Sequence, residues 1–391
     1  MALIVLDNYN QKRKVMKSTS IVLITVLGAF FSGCGSESEV SSKVVLGESL
    51  YHDTTLSANK TMSCSTCHSL DEGFIDPRTT SKTLGASLGD DQTSIADRNA
   101  PTIGYAFFSP NFHFDTDEGL FIGGQFLDGR SIDLKEQAKE PFLNSIEMGM
   151  PDISSVLARV KENSSYVSQF QALYGRDIFE DETKAYNALA DAIAEFEKSS
   201  EFASFDSKYD RYLAGEYTLS PEEERGLALF VDEDAGGAMC SACHPAVSVD
   251  NKPLFTDFSY DNLGVPINHT LRTENGKTAD KDVGLFGNPA VNDTGLQGAF
   301  KVSSLRNIAV TGPYMHNGLF KDLKTVVHFY NTRDLGGAVN PETNSTWETG
   351  EFHADRNTAE LGNLGLSDRD EDDIVAFLKT LTDKRYEHLI H

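Results

Sequence analysis

Apolar residues recur along this chain mostly at helical spacing, and strand-like alternation is scarce. Two stretches, roughly Ile153 to Tyr174 and Glu182 to Lys198, read as helices, each following an aspartate placed as an N-cap, Asp152 and Asp181. Ser220-Pro221-Glu222-Glu223 is a capping box with proline in the first turn, and it opens another helix. A last helix is expected from Arg369 to Leu381 after Ser367, with Ile374, Phe377, Leu378 and Leu381 on one face. In DLKTVVHFYN, Leu323, Val326, Val327 and Tyr330 form a single stripe, and His328 falls off it toward solvent or a polar edge. The pattern predicts a mainly α protein with long glycine-containing loops.

The pattern also repeats. LGESLYHDTTLSANKTMSCSTCH and RGLALFVDEDAGGAMCSACH each run from a short amphipathic helix through a loop into Cys-x-x-Cys-His, and the two motifs start 176 residues apart. Two domains are expected, 44–215 and 216–391. Ahead of them, Lys14 and Lys17 precede the apolar run Ile21 to Phe31 and then Ser32-Gly33-Cys34. That run of eleven residues is shorter than the ~20 a spanning helix needs, so residues 1–33 read as an export signal. The signal resembles the bacterial lipoprotein type, with Met16 as the more natural start. Cys34 would then carry lipid, residues 34–43 would be a polar tether, and the protein would be anchored in the periplasm or cell envelope.

Composition narrows the picture. With 391 residues, 39% of them hydrophobic and 24 Phe, the chain can bury two cores. A net charge of −25 argues against nucleic acid and for neutral or basic partners, although acidity also serves solubility.

Five cysteines remain to be explained: Cys34, Cys64, Cys67, Cys240 and Cys243. If Cys34 takes lipid, none is left over for a structural disulfide. Each of the two pairs is followed directly by histidine, which is the attachment pattern of c-type haem: two thiols bind the vinyl groups and the histidine reaches the iron. The sequence therefore predicts two covalent haem c groups, on Cys64, Cys67 and His68 and on Cys240, Cys243 and His244. A zinc site built from all four thiolates and a redox dithiol are the rival readings.

With these motifs placed, the chain resembles the bacterial di-haem cytochrome c peroxidase and MauG family over nearly all of its mature length. The resemblance rests on LSANKTMSCSTCH, on RNAPT (98–102), on GGQFLDGRSIDLKEQAKEPFLNSIEMGMPD (123–152) and on KVSSLRNIAVTGPYMHNG (301–318). It implies two cytochrome c-like domains with one haem each, the N-terminal haem peroxidatic, the C-terminal one taking in or storing electrons, and calcium between them. It also implies roles for single residues. Glu147 would be the acid/base group, Gln137 would orient bound peroxide, and Pro141 would line the same pocket. Asn99, with Thr311 and Pro313 through their carbonyls, would bind calcium, and His316 would lie near the second haem. Taken without the resemblance, Glu147 reads as a solvated surface acid and Asn99, Thr311 and Pro313 as turn residues.

Two positions depart from the family. Leu84 stands where many members carry a histidine that caps the first iron, so that haem is expected to be open without reductive activation. Leu127 replaces the tryptophan common between the haems, and the only tryptophan in the chain, Trp347, is far away in sequence.

Tyr330, seventeen residues after Pro313, falls where the peroxidases have an axial Met and MauG an axial Tyr; Met315 is the second candidate. From spacing alone Tyr330 would be a core aromatic. A phenolate stabilises the oxidised iron and a thioether the reduced one, and axial ligands move haem potentials over ~0.8 V. The expected activity is reduction of hydrogen peroxide with electrons from a small donor protein such as a cytochrome c. A MauG-like oxidation of a partner protein's side chains is the alternative, and an electron-transfer cytochrome without catalysis is a second. Homodimerisation is a further expectation left open.

Overall fold

The computed structural model describes residues 36–78, 85–232, 236–246, 248 and 250–391. In chain order its helices are α1 (Ser36–His52), α2 (Cys64–Cys67), α3 (Leu134–Gln137), α4 (Glu140–Leu143), α5 (Ile153–Glu162), α6 (Ser164–Tyr174), α7 (Glu182–Glu197), α8 (Lys208–Leu213), α9 (Pro221–Val231), α10 (His269–Glu274), α11 (Leu323–Thr332) and α12 (Asp368–Lys379). The strands form four two-stranded antiparallel ribbons: β1 (Ala86–Leu88) with β2 (Ile95–Asn99), β3 (His113–Asp115) with β4 (Leu120–Ile122), β5 (Tyr260–Asp261) with β6 (Phe300–Lys301), and β7 (Val339–Asn340) with β8 (Ser345–Thr346). The mainly α expectation holds.

The helix starts follow the local chemistry. Asp152 accepts from Ser155 N at 2.7 Å and Asp181 from Lys184 N at 3.0 Å. Ser220 with Glu223 and Ser367 with Asp370 close reciprocal boxes. The expected single helix from Ile153 to Tyr174 is instead two. Asn163 ends α5 and caps α6, its side chain accepting from Ser165 N at 3.0 Å, because asparagine offers the backbone a turn in place of a helical bond. The segment expected as a tether is helical from Ser36, and Lys43 in α1 pairs with Asp191 of α7 at 3.0 Å.

The repeat seen in the sequence becomes a repeat of packing. In the first half α1 crosses α7, and a Cβ on Gly47 would sit 1.9 Å from the Ala192 carbonyl oxygen and 2.9 Å from Phe196 Cβ. In the second half α9 crosses α12, and a Cβ on Gly226 would sit 1.9 Å from the Asp373 oxygen and 2.9 Å from Phe377 Cβ. Each crossing needs a glycine for two backbones to touch. The first core gathers Leu46, Leu50, Phe142, Leu157, Phe170 and Ile193; the second gathers Tyr209, Phe230, Phe255, Ile374 and Phe377. Helix α8, placed before the expected boundary at 215, contributes Tyr209 to the second core. The chain end returns to the first half, where Tyr386 packs with Phe74 and Phe202. Arg98 of β2 joins the halves, bonding Asp128 at 2.6 Å and Asp282 at 2.6 Å.

Candidate functional site

A cavity of about 1150 Å³ runs between the two halves, lined by both Cys-x-x-Cys-His segments. It exceeds the volume typical for one drug-sized ligand. At one end stand Cys64, Cys67 and His68; at the other, Cys240, Cys243 and His244.

The two histidines are held alike. His68 Nδ1 lies 3.2 Å from the Phe74 carbonyl oxygen, and His244 Nδ1 lies 2.7 Å from that of Phe255. A carbonyl only accepts, so the Phe74 and Phe255 oxygens favour the proton on Nδ1, and the Pro101 carbonyl is a second acceptor beside the His68 ring. Both phenylalanines adopt left-handed backbone angles, φ 63° at Phe74 and 53° at Phe255, which turn their carbonyls toward the rings. Burial lowers the pKa of both histidines, so both rings are neutral, as an iron ligand must be. Burial also pushes the Cys67, Cys240 and Cys243 thiols up to about 12 and Cys64 higher. The dithiol reading is disfavoured, because a redox thiol needs a depressed pKa. The four-thiolate zinc reading fails as well: among the described residues the four sulfurs do not converge, and the one candidate cluster is Cys243, Asp261 and Glu360. Paired thiols, a histidine directly after each pair and enclosed space fit a haem at each end.

Helix α3 and the turn after α4 build the first end. The segment after α4 folds back on it, with Met148 N on the Pro141 oxygen at 3.2 Å and Met150 N on the Phe142 oxygen at 2.8 Å. Gln137, Pro141 and Glu147 thereby line the cavity that also holds His68. Glu147 is half-buried and takes a hydrogen bond from Asn144 Nδ2 at 2.9 Å. Burial raises its pKa; the Arg130 charge and the Asn144 bond oppose that shift. A carboxyl held this way can both receive and return a proton.

Helix α11 builds the second end. Leu323, Val326, Val327 and Tyr330 all line the cavity, so the predicted stripe faces the second site. Tyr330 lies near Cys240 and Cys243, and burial raises its pKa. Its hydroxyl has no hydrogen-bond partner among the described residues. Met315 also lines the cavity. His328 turns away, with Nδ1 on the buried Glu371 carboxylate at 2.8 Å, a polar edge as expected.

His316 is buried in the cavity wall, stacked on Phe300 at 3.8 Å between centroids, with Nε2 unpartnered. Burial pushes its pKa down to about 3, so the ring is neutral. Asn99 Nδ2 donates to the Pro313 oxygen at 2.6 Å, and Thr311 lines the same wall, so the three expected calcium residues come together. Leu127 lines the cavity; Trp347 does not, and packs instead on Phe320 and Phe329. Leu84 and Cys34 lie outside the described residues, as does the export signal.

Several site residues carried no sequence signal. Phe74 and Phe255 act through backbone carbonyls. Asn144 is one more polar residue in a polar loop. Glu197, buried against the first end with Oε2 unpartnered, looked like an ordinary helix acid.

The family model described as di-haem cytochrome c peroxidase matches residues 41–218. The methylamine utilization protein MauG of Paracoccus denitrificans (strain Pd 1222) is 45% identical over 352 residues, covering 88% of this chain and 89% of that protein. The cytochrome c peroxidase of Escherichia coli (strain K12) is 31% identical over 342 residues, covering 87% of this chain and 58% of that protein. Among solved structures, the diheme peroxidase BthA from Burkholderia thailandensis E264 superposes with a TM-score of 0.80 at 30% identity, covering 90% of this chain and 88% of that one. The protein is therefore a peroxidase-type oxidoreductase, and the chain belongs to the di-haem cytochrome c peroxidase and MauG family.

Proposed function

We propose that this chain reduces hydrogen peroxide at the His68 end of the cavity and draws the electrons from a protein through the His244 end. The observation that carries this reading is Glu147, a carboxyl with a raised pKa that lines the cavity near Cys67. The haem supplies an iron able to bind and reduce peroxide. Glu147 takes the proton from the inner peroxide oxygen and returns it to the outer one, help typically worth ~10²–10⁴-fold. Gln137 offers an amide to orient the bound molecule. Pro141 lines the same cavity.

Tyr330 favours a second reading on the same scaffold. A phenolate at the second iron disfavours easy reduction by a small high-potential donor and suits storage of an oxidising equivalent. That leans toward MauG-like oxidation of a partner protein, in line with the 45% identity to that relative.

Calcium at Asn99, Thr311 and Pro313 belongs to the same proposal. Hard oxygen donors suit it, and turning the Asn99 amide over presents its oxygen beside the Pro313 carbonyl. So do export by residues 1–33, lipid on Cys34 and a first site open at rest.

Mixing peroxide with the resting ferric protein in a stopped-flow spectrometer tests the reading. A rapid change in the haem bands that decays with reduced cytochrome c supports the peroxidase. Decay only with a protein substrate supports the MauG-like reading. No spectral response rejects both and leaves an electron carrier.

A further inference from the structure

One cavity tyrosine neighbours the surroundings of both histidines. The carbonyl of Phe74 holds His68, and a Cβ on Gly104 would lie 3.1 Å from the Phe74 ring. The next residue, Tyr105, is 1% exposed, and it lines the cavity. On its other side the Arg306 guanidinium lies 5.1 Å from the Tyr105 ring and 5.7 Å from the ring of Phe255, whose carbonyl holds His244. Asp210 fixes Arg306 with bonds of 2.6 and 2.9 Å. Tyr105 also donates its backbone N–H to the Phe202 oxygen at 2.8 Å, and the Phe202 ring stacks on Phe74 at 4.7 Å, so Tyr105 neighbours Phe74 through Phe202 and Phe255 through Arg306.

Its hydroxyl has an unusual partner. It donates to Oδ1 of Asp383 at 2.6 Å and accepts from Phe205 N at 3.0 Å. Asp383 is itself buried, and its Oδ2 accepts from Asn307 Nδ2 at 2.9 Å. Three tyrosines line the cavity among the described residues: Tyr105, Tyr314 and Tyr330. Tyr314 donates to a backbone carbonyl, that of Ile308, and Tyr330 has no acceptor among the described residues. Only Tyr105 gives its proton to a carboxylate. A phenol that loses an electron becomes strongly acidic, so it is readily oxidised only where a base can take the proton within hydrogen-bond reach. Leu127 offers no oxidisable ring.

We propose that Tyr105 relays single electrons between the His68 and His244 ends, with its hydroxyl proton passing to Asp383 and back. The relay rests on the peroxide reaction proposed above. When the His68 end draws an electron, Tyr105 gives it up and its O–H proton crosses to Oδ1 of Asp383, leaving a neutral tyrosyl radical and a carboxylic acid. An electron from the His244 end and the proton returning from Asp383 restore the neutral phenol. Two passages supply the two electrons that, with two protons from solvent, turn one hydrogen peroxide into two waters.

The test is freeze-quench electron paramagnetic resonance and stopped-flow spectroscopy of the haem-loaded protein after peroxide addition. Wild type is expected to show a tyrosyl radical and a response of the second haem. Tyr105→Phe keeps the ring and its packing; it should lose the radical and slow the second-haem response at least about tenfold. Asp383→Asn keeps Tyr105 in place without a base and should do the same, so the relay can be judged even if one variant folds poorly. A first-haem response with the radical and second-haem rate unchanged in both variants overturns the relay alone. No response to peroxide in wild type overturns the relay together with the reading beneath it.

Discussion

Asn144 Nδ2 donates to Glu147 Oε1 across 2.9 Å, in a segment folded back on α4 by the bonds from Met148 and Met150. The bond fixes one carboxylate oxygen and opposes the upward shift that burial imposes on Glu147. Glu147→Gln keeps the shape and removes the proton carrier. The second-order rate of reaction with peroxide should fall by ~10²–10⁴. Asn144→Ala should do less to the rate at its optimum. It removes an influence that lowers the pKa, so the limb of the pH–rate profile governed by Glu147 should move to higher pH. Both rates are read by stopped flow across pH.

The axial ligand at the second end can be read from spectra. Tyr330 and Met315 both line the cavity, and Tyr330 lies near Cys240 and Cys243. Tyr330→Phe should change the absorption and magnetic resonance of the second haem and leave the first unchanged. Tyr330→Met should raise the second haem's potential, because a thioether stabilises the reduced iron. An unchanged spectrum in Tyr330→Phe would hand the position to Met315.

What was legible in the sequence was local. Asp152, Asp181, Ser220 and Ser367 cap helices as written, since each cap bond spans only three residues. Gln137, Pro141 and Glu147 were placed by the resemblance of their segment to the family, not by spacing. The helix break at Asn163 was also local, and Asn-Ser-Ser there was the signal for it. The carbonyls of Phe74 and Phe255 could not be read, because a backbone oxygen belongs to every residue and only the fold aims it. Nor could the Tyr105–Asp383 pair, which joins positions 278 residues apart. The stripe on α11 was seen correctly as one face, but spacing alone could not distinguish a core from a cofactor wall.

The two helix crossings make a symmetric prediction. An alanine methyl at Gly47 or Gly226 would fall 1.9 Å from a backbone oxygen, which cannot rotate away as a side chain would. The helices must separate, at a cost of about 1–3 kcal/mol or more. Gly47→Ala should loosen the half holding His68, and Gly226→Ala the half holding His244. Thermal melting followed at each haem's own band should show the affected half giving way first.

Glu197 predicts a pH dependence of stability. It is 6% exposed, its Oε2 has no partner, and burial pushes its pKa up to about 8. Unfolded, the same group titrates near ~4.3. Below ~4.3 both states hold the proton and Glu197 carries no penalty. Between that value and 8 the unfolded chain releases the proton while the folded one keeps it. Stability therefore falls as pH rises, by up to ~1.4 kcal/mol per pH unit, and levels off above 8. Glu197→Gln imitates the protonated acid and removes this dependence. The variant should melt close to wild type near pH 4.5 and progressively higher than wild type up to pH 8. A difference in melting temperature that stays flat across that range would mean that Glu197 is charged in the folded protein, with a partner supplied by whatever fills the cavity beside Cys64.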